Sequence, residues 1–489
     1  MVQTSASFRL DDQDVDGSIS LSEIISALSY ALDMTEGAVH GHALRTCLLG
    51  MRIAHEARLS SDQTSGLYFA LLLKDVGCSS NASRLCQIAG GDDLALKAGV
   101  KFEDWTKPHK PNLQTLKLLW KNVLPDSGAA TKIVRILRIG LTQHKNNKEM
   151  VSLRCDRGAS IVAKLGMGAL ATEGVRSLDE HWDGSGYPDS RKGEQIPLLA
   201  RICCIAQHLD IFSIGRGTQD AIDTLQERSG TWFDPGLVRI ALSLHRRGAL
   251  WTNCSPGDCE EETRQAVLDL DGGTQHKLEP DRVDQICEAF ADVVDAKSHF
   301  TFRHSLGVAD AALGIAETMG LPADRLQLVR RTALLHDIGK LGVSNTILDK
   351  SSPLTASEWQ AVQQHPRSTR QILERVRSFR EMAVVAGEHH EKLDGSGYPD
   401  RLTARDLSME SRIIAVADIF GALSEDRPYR PGLKLEHTLS IMKESAPRQL
   451  DGDCFDALVS WASSEREVQF SPEPQVPASL LGYALEPVL

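Results

Sequence analysis

The feature that most constrains this chain is an internal repeat, because two copies of one segment are expected to fold alike. The segment His181–Pro188 (HWDGSGYP) matches Lys392–Pro399 (KLDGSGYP) at an offset of 211 positions. Further upstream, Leu72–Gly77 (LLKDVG) matches Leu334–Gly339 (LLHDIG). The repeat predicts two homologous domains in one polypeptide.

The first copy is longer than the second. His42 and His304 are 262 positions apart, which exceeds the offset of the downstream loops by 51. The additional residues of the first copy therefore lie between Cys78 and Arg154.

The repeat also suggests domain limits within the 489 residues. The segment between the copies is rich in turn-forming and acidic residues, which is typical of a linker that can carry a short element of its own. The last residues contain several prolines and are expected to form a loosely ordered tail. The predicted parts are an extension at 1–20, a first domain at 21–249, a linker at 250–281, a second domain at 282–466 and a tail at 467–489.

Apolar residues recur at three- and four-residue spacing along much of the chain, which predicts amphipathic helices. The alternating pattern of β-strands is scarce. The fold class is therefore predicted to be all-α, with two helical domains in tandem. The clearest predicted helices are Leu21–Leu32, Leu44–Ala57, Ala309–Met319, Leu326–Leu335 and Ser411–Leu423.

The second copy carries a set of residues suited to binding metal ions. Imidazole and carboxylate groups are typical ligands of divalent iron, manganese, zinc or nickel. A lone histidine is usually structural, but a set this large that includes two adjacent pairs indicates a metal site. Two nearby ions could share one carboxylate, plausibly that of Asp337, and a hydroxide bridging them could attack a phosphorus in line. The candidate ligands are His304, His336, Asp337, His365, His389, His390 and Asp418.

The motifs around these residues resemble the HD-GYP family of the HD superfamily, over about Val283–Arg430. The matching segments are His336–Lys340 (HDIGK), His365-Pro366, His389–Pro399 (HHEKLDGSGYP), Asp418-Ile419 and Arg427–Arg430 (RPYR). The resemblance implies an all-helical domain in which all seven candidates bind metal. It also implies that Lys340 pairs with the scissile phosphate and that Arg427 and Arg430 contact the substrate. Asp337 and Lys340 are accordingly the predicted catalytic residues.

The same resemblance implies hydrolysis of cyclic di-GMP to linear pGpG, in some members onward to GMP. Members with a third metal have a glutamate four residues before the first histidine, whereas this chain has Phe300 there. We therefore expect two divalent ions, iron first and manganese as the alternative, with pGpG as the product. Another cyclic dinucleotide such as cyclic GMP-AMP, or another phosphoester, remains an alternative substrate. A catalytically silent binding or scaffold protein is the alternative of a different class.

The first copy keeps His42 and Asp75 but has lost the other five ligands. A lysine ammonium offers no lone pair and repels a cation, so this domain is not expected to hold a dinuclear centre. It is either a structural partner of the active copy, which we favour, or a regulatory pocket in which Lys74 and Arg154 bind an anion. The replacements are Lys74 for His336, Arg154 for His365, Leu178 for His389, Asp179 for His390 and Gln207 for Asp418, with Cys78 at the position of Lys340.

A twelve-residue segment near the start, Asp12–Glu23, fits the calcium-binding loop of EF-hands. Asp12, Asp14, Asp16 and Glu23 would supply oxygens, and Gly17 would permit the turn. The alternative, which we favour, is an acidic extension that caps the helix beginning near Leu21.

Composition excludes several other functions. The formal net charge of −12 argues against binding a nucleic-acid polymer. No apolar run of about 20 residues suggests membrane insertion, and no signal peptide is visible. The ten cysteines form no CxxC pair, which is typical of reduced thiols in the cytoplasm. The expected partners are a cyclic dinucleotide and the other domain of the chain, while homodimerisation stays open.

Overall fold

The protein is helical throughout the residues that the structure describes. This structure is a computed structural model, and it describes residues 20–102, 113–125, 127–270, 278–298, 303–426 and 431–465. Within these ranges no β-strand is present. The prediction of an all-α fold is confirmed.

The first copy and the linker contain twelve described α-helices and two short 3-10 helices, Cys78–Asn81 and Gly193–Gln195. The α-helices are α1 (Leu21–Thr35), α2 (His42–Glu56), α3 (Ser61–Leu73), α4 (Ala82–Ala89), α5 (Asp93–Val100), α6 (Leu113–Asn122), α7 (Ala129–Lys164), α8 (Gly168–Arg176), α9 (Leu198–Arg216), α10 (Thr218–Glu227), α11 (Pro235–Arg246) and α12 (Glu260–Asp269).

The second copy repeats the order of helices of the first in the parts that the two copies share. Its described α-helices are α13 (Pro280–Asp295), α14 (His304–Thr318), α15 (Ala323–Leu335), α16 (Asn345–Leu348), α17 (Ala356–Val362), α18 (His365–Leu373), α19 (Arg380–Gly387), α20 (Met409–Ser424), α21 (Leu435–Ser445) and α22 (Gly452–Glu465). Two 3-10 helices, Ile338–Gly342 and Arg377–Phe379, follow α15 and α18.

Local chemistry explains where several helices begin. Ser60 and Gln63 form a reciprocal capping box at the start of α3, which satisfies two free backbone N–H groups. Pro366 occupies the first turn of α18, where its missing N–H costs nothing. The predicted helices lie inside observed ones, apart from end shifts of a few residues.

The two copies share ion pairs as well as helices. Arg201 in α9 donates to Asp234 Oδ2 at 2.6 Å, and Arg412 in α20 donates to Asp451 Oδ2 at 3.0 Å. Each pair joins the start of a core helix to the start of the helix near the domain's end. The repeat seen in the sequence thus extends to the ion pairs that join its helices.

The DGSGYP loop is braced in the same way in both copies. The carboxylate of Glu180 accepts hydrogen bonds from the backbone N–H groups of Asp189 and Arg191. Its counterpart Glu391 accepts from those of Asp400 and Leu402 at 2.6 and 2.9 Å. Because the copy without the metal ligands keeps this brace, the loop acts as a structural corner in both domains.

The segment between Cys78 and Arg154, in which the additional residues of the first copy lie, contains α4, α5, α6 and the first part of α7. They enclose a small core of their own, built on Ala89, Leu96 and Val123. These helices follow the 3-10 helix Cys78–Asn81.

Among the described residues one helix, α9, is long and apolar enough to cross a membrane by length and composition alone, which was not predicted from the sequence. In the fold, 67% of its apolar window is buried inside the protein. It is the central helix of the first copy, and core helices of water-exposed domains pass the same test.

Candidate metal centre

The seven candidate ligands come from five places in the second copy. His304 opens α14, His336 and Asp337 follow the last residue of α15, and His365 opens α18. The remaining three are His389 and His390, directly after α19, and Asp418 within α20. All seven are buried, from complete burial of His336 to 7% exposure of His390. The structure therefore brings together every predicted ligand.

Asp337 lies between two groups of histidines. Its Oδ1 is 3.2 Å from His365 Nε2 and 3.7 Å from His389 Nε2. Its Oδ2 is 3.4 Å from His336 Nε2 and 3.8 Å from His304 Nε2. One carboxylate thus presents one oxygen to each group, which is the geometry that a bridging ligand requires.

Asp418 completes the group around His304 and His336. Its Oδ1 is 3.3 Å from His304 Nε2 and 3.6 Å from His336 Nε2, while its Oδ2 is 3.7 Å from His390 Nδ1. Ligand atoms of His304, His336 and Asp418 lie within 4.8 Å of one another, and so do those of His365, His389 and His390. The seven residues form two adjoining sites.

The backbone orients three of the imidazoles. The Nδ1 atoms of His336, His365 and His389 lie 2.7, 2.7 and 2.6 Å from the carbonyl oxygens of Ala333, Val362 and Ala386. Donation from Nδ1 leaves the lone pair on Nε2, which faces the centre. Backbone contacts of this kind fix the tautomer of metal-binding histidines.

The donor set fits a divalent metal. His365 Nε2 and His389 Nε2 are 3.1 Å apart, so two lone pairs face each other with no proton between them. His336 Nε2 and Asp337 Oδ1 are buried without a hydrogen-bond partner among the described residues. Buried polar atoms are rarely left unsatisfied, and a cation between them would satisfy both.

The electrostatics agree with this assignment. Burial raises the carboxyl pKa of Asp337, yet Lys340 and His336 outweigh burial and hold the pKa well below its usual range. Burial, helped by the charge of His336, lowers the pKa of His389 to about 3. For His336 burial is outweighed by Asp337 and Asp418, which raise its pKa to about 10. The site thus offers ionised carboxylates and, at His389, a neutral imidazole, which are the forms that bind metal, whereas His336 would release its proton when a cation binds beside the two carboxylates.

Lys340 lies at the edge of this centre. Its Nζ donates to Asp337 Oδ2 at 2.6 Å, and its side chain is 19% exposed. It is therefore placed between the buried ligands and solvent. Phe300, Arg427 and Arg430 lie outside the described residues.

The sequence reasoning missed one residue beside the site. Glu425 Oε2 is 2.8 Å from His304 Nδ1, so it can fix the orientation of that imidazole. Glu425 follows Asp418 by seven positions, or two helical turns. That spacing was the available signal, although residues just beyond a helix end are hard to place.

The first copy has ion pairs at the corresponding position. Lys74 Nζ is within hydrogen-bonding distance of Asp75 and lies 2.8 Å from His42 Nε2. The guanidinium of Arg154 contacts the carboxylate of Asp179. Two fixed cations thus face two carboxylates, the retained Asp75 and Asp179 at the position of His390, where the second copy has its ligands.

His42 remains oriented as a ligand would be. Its Nδ1 is 2.6 Å from Asp210 Oδ2, and Asp210 also accepts from Arg45 Nε at 2.6 Å. Burial and the nearby Lys74 lower the pKa of His42 to about 4. Its imidazole is therefore neutral, but its Nε2 faces an ammonium group instead of a metal.

One group in the first copy still has the composition of a metal site. Ligand atoms of Glu36, Asp75 and Cys78 lie within 4.8 Å of one another. Glu36, however, pairs with Lys97 and Lys101 at 3.3 Å each. Because lysine ammonium groups neutralise the carboxylates, this group does not resemble the open ligand set of the second copy.

The chain is similar to a known protein family and to several phosphodiesterases. The HD domain family matches residues 130–237 and 288–454, which covers parts of both copies. A 3'3'-cGAMP-specific phosphodiesterase 3 of Vibrio cholerae is 40% identical over 440 residues, which span 90% of this chain and 94% of that protein. A cyclic di-GMP phosphodiesterase response regulator of Xanthomonas campestris is 35% identical over 161 residues, 32% of this chain and 43% of that protein.

A solved structure extends the likeness to the whole fold. The crystal structure of a cyclic GMP-AMP specific phosphodiesterase of V. cholerae superposes with a TM-score of 0.62 and 35% identity, covering 91% of this chain and 98% of that one. Fold and site together define an all-helical, metal-dependent phosphohydrolase. The chain belongs to the HD domain family, and its recognition as an HD-GYP-type cyclic dinucleotide phosphodiesterase is confirmed.

Proposed function

We propose that this protein hydrolyses 3'3'-cyclic GMP-AMP to a linear dinucleotide. The observation that carries the proposal is the 40% identity to a 3'3'-cGAMP-specific phosphodiesterase over nearly the full length of both chains. The similarity to cyclic di-GMP phosphodiesterases covers far less of this chain. The motifs alone suggested cyclic di-GMP as the substrate. The similar proteins instead favour cyclic GMP-AMP, which was the alternative.

The seven buried ligands are proposed to hold two divalent ions, with iron first and manganese as the alternative. His304, His336 and Asp418 would hold one ion, the group of His365, His389 and His390 the other, and Asp337 would bridge them. When bound, the ions supply Lewis acidity toward the phosphodiester and toward an attacking water. The facing oxygens of Asp337 support this division.

Lys340 is proposed to neutralise charge on the scissile phosphate. Its ammonium group, close to Asp337 Oδ2 and partly exposed, can contact a phosphate oxygen without leaving the carboxylate. Such fixed charges stabilise the additional negative charge of a phosphoryl transition state. Arg427 and Arg430 stay proposed substrate contacts.

The test is a comparison of cyclic dinucleotides on the protein purified anaerobically and loaded with iron or with manganese. We expect kcat/KM for 3'3'-cyclic GMP-AMP to exceed that for cyclic di-GMP by at least about tenfold. Mass spectrometry should identify a linear dinucleotide as the product. Equal or better turnover of cyclic di-GMP would overturn the proposed specificity, and absence of turnover with the metal-loaded protein would overturn the activity.

The first domain is proposed to be a structural partner that packs against the catalytic one. Lys74 and Arg154, the two residues that an anion could have used, are already paired with carboxylates inside the domain. Contacts between the copies support packing, since Glu23 accepts a hydrogen bond from the backbone of Arg377. Glu23 is the one proposed calcium ligand of the loop within the described residues, so calcium binding stays the less favoured alternative to an acidic extension that caps α1.

The protein is proposed to work in the cytoplasm. Within the described residues all ten cysteines are free thiols, and nine of them are at least partly buried.

A further inference from the structure

The segment between Cys78 and Arg154, which holds the additional residues of the first copy, makes a contact with the catalytic copy. Asp93, the first residue of α5, is fully buried. Its Oδ1 accepts hydrogen bonds from the Ser344 hydroxyl at 2.9 Å and from the Asn345 backbone N–H at 2.8 Å. An acidic residue in a first turn ordinarily stabilises its own helix, but this oxygen faces the other domain.

Ser344 and Asn345 lie close to the C-terminal end of the 3-10 helix that carries Lys340. That helix spans Ile338–Gly342, and a single residue separates it from Ser344. Met34 of α1 packs against its last residue, since a Cβ added to Gly342 would lie 2.4 Å from Met34 Cε. The first copy therefore touches this short helix through a polar contact and through an apolar one.

A buried lysine joins the same contact from within the catalytic copy. Lys297 Nζ donates to the carbonyl oxygen of Leu341 at 2.8 Å, and the Asn345 side chain donates to the carbonyl oxygen of Lys297 at 2.6 Å. Burial lowers the pKa of Lys297 to about 8, and among the opposing groups Asp93 does most to favour its charged form. The Asp93 carboxylate thus supports a cation that holds the end of the helix.

We infer that Asp93 is a positioning residue for catalysis: by holding Ser344 and Asn345, it fixes the 3-10 helix that places Lys340 beside Asp337. The inference rests on the proposed phosphodiesterase activity. Displacement of a catalytic group by about 1 Å can reduce turnover by about a hundredfold, and 3-10 helices are short and weakly hydrogen-bonded. A helix of five residues needs such external contacts to keep one position.

The experiment compares Asp93→Ala, Asp93→Asn and Asp292→Ala in the full chain. Asp292 is the matched control, because its ion pair with Lys164 at 2.7 Å also joins the two copies but is distant in sequence from the Lys340 helix. We expect Asp93→Ala to lower kcat by about ten- to a hundredfold with KM and bound metal unchanged. Asp93→Asn keeps an oxygen that can accept both hydrogen bonds and should restore most of kcat. Asp292→Ala should behave as the wild type.

A double-mutant cycle and hydrogen exchange complete the test. If Asp93 acts through Ser344, the losses in kcat from Asp93→Ala and Ser344→Ala will not add. Amide exchange across Ile338–Gly342 should rise in Asp93→Ala and stay unchanged in Asp292→Ala, a measurement that needs no substrate. Wild-type kcat and exchange in Asp93→Ala would overturn the inference, whereas an inactive wild type with the expected exchange pattern would overturn only the proposed function.

Discussion

The two halves of this chain are copies of one domain, and they differ most at the centre of the helical core. In the second copy seven imidazoles and carboxylates surround a position that we propose is occupied by two divalent cations from solution. In the first copy the cations belong to the chain itself, as Lys74 and Arg154. Both centres balance buried negative charge with positive charge. Only in the second copy would that charge come from metal ions, which can activate a water molecule and a phosphodiester.

This difference shows how a metal site can be lost while the fold survives. Loss of the metal ions would leave the buried carboxylate of Asp75 with uncompensated charge, which is costly in a low dielectric. Lys74 supplies that charge beside Asp75, while Arg154 pairs with Asp179, a carboxylate that stands where the second copy has His390. Asp210, which lies at the helix position of Gly421 in the other copy, even maintains the orientation of His42.

The difference between the two copies is tested most sharply by replacing the equivalent aspartate in each, Asp337 in the second and Asp75 in the first. Asp337→Ala should abolish turnover, by at least about a thousandfold, and lower bound metal, because it removes the shared ligand. His336→Ala should do the same. Asp75→Ala should leave metal content and kcat in place, although Lys74 would lose its buried partner. Wild-type rate and metal content in Asp337→Ala would contradict the assignment of the centre.

Metal removal should affect the two copies unequally. Ligand binding to the native state stabilises it by about 3 to 4 kcal/mol when the ligand exceeds its Kd by a hundred- to a thousandfold. Chelation should therefore increase amide exchange around His336 and His389 and leave the region around Lys74 protected. Equal loss of protection in both copies would mean that the first one also depends on metal.

The ion pair in the first copy can be tested by removing one partner and then both. Arg154→Leu should lower the free energy of unfolding by about 3 kcal/mol, because it leaves the buried Asp179 carboxylate with only the weak thiol donor of Cys155. Adding Asp179→Leu should recover much of that loss. Denaturant unfolding measures both steps, and additive losses would show that the pair does not compensate charge.

The carboxylate behind the first histidine should have a smaller effect in the catalytic copy. Glu425→Gln weakens the acceptor that orients His304 and should lower metal affinity by about ten- to a hundredfold. Competition with a chelator of known affinity measures the change. Asp210→Asn, the matched variant in the first copy, should leave metal content unaltered.

The smallest effect is expected from partial restoration of the first copy. Lys74→His combined with Arg154→His returns two imidazoles but leaves Leu178 and Gln207 without ligating equivalents at the positions of His389 and Asp418. Elemental analysis should give the same metal content per chain as in the wild type. Additional bound metal would show that the two cations alone exclude it.

Much of this arrangement was predictable from the order of residues. Helical periodicity and the repeat predicted the fold class, and all seven candidate ligands converge as expected. The ion pairs of the first copy followed in part from Lys74 and Arg154, but their partners depend on side-chain packing. The contact of Asp93 with Ser344 could not be predicted, because it joins residues 251 positions apart in different domains. Glu425 was missed because it lies just beyond the end of a helix.

The ion pairs at the centre of the first copy also have a kinetic consequence. A duplicated enzyme with two working centres could bind two substrate molecules, and occupancy of one could alter the other. The part of the chain that the structure describes offers one open ligand set, so a monomer should follow a simple hyperbolic dependence of rate on substrate concentration. Any sigmoidal behaviour would have to arise between chains.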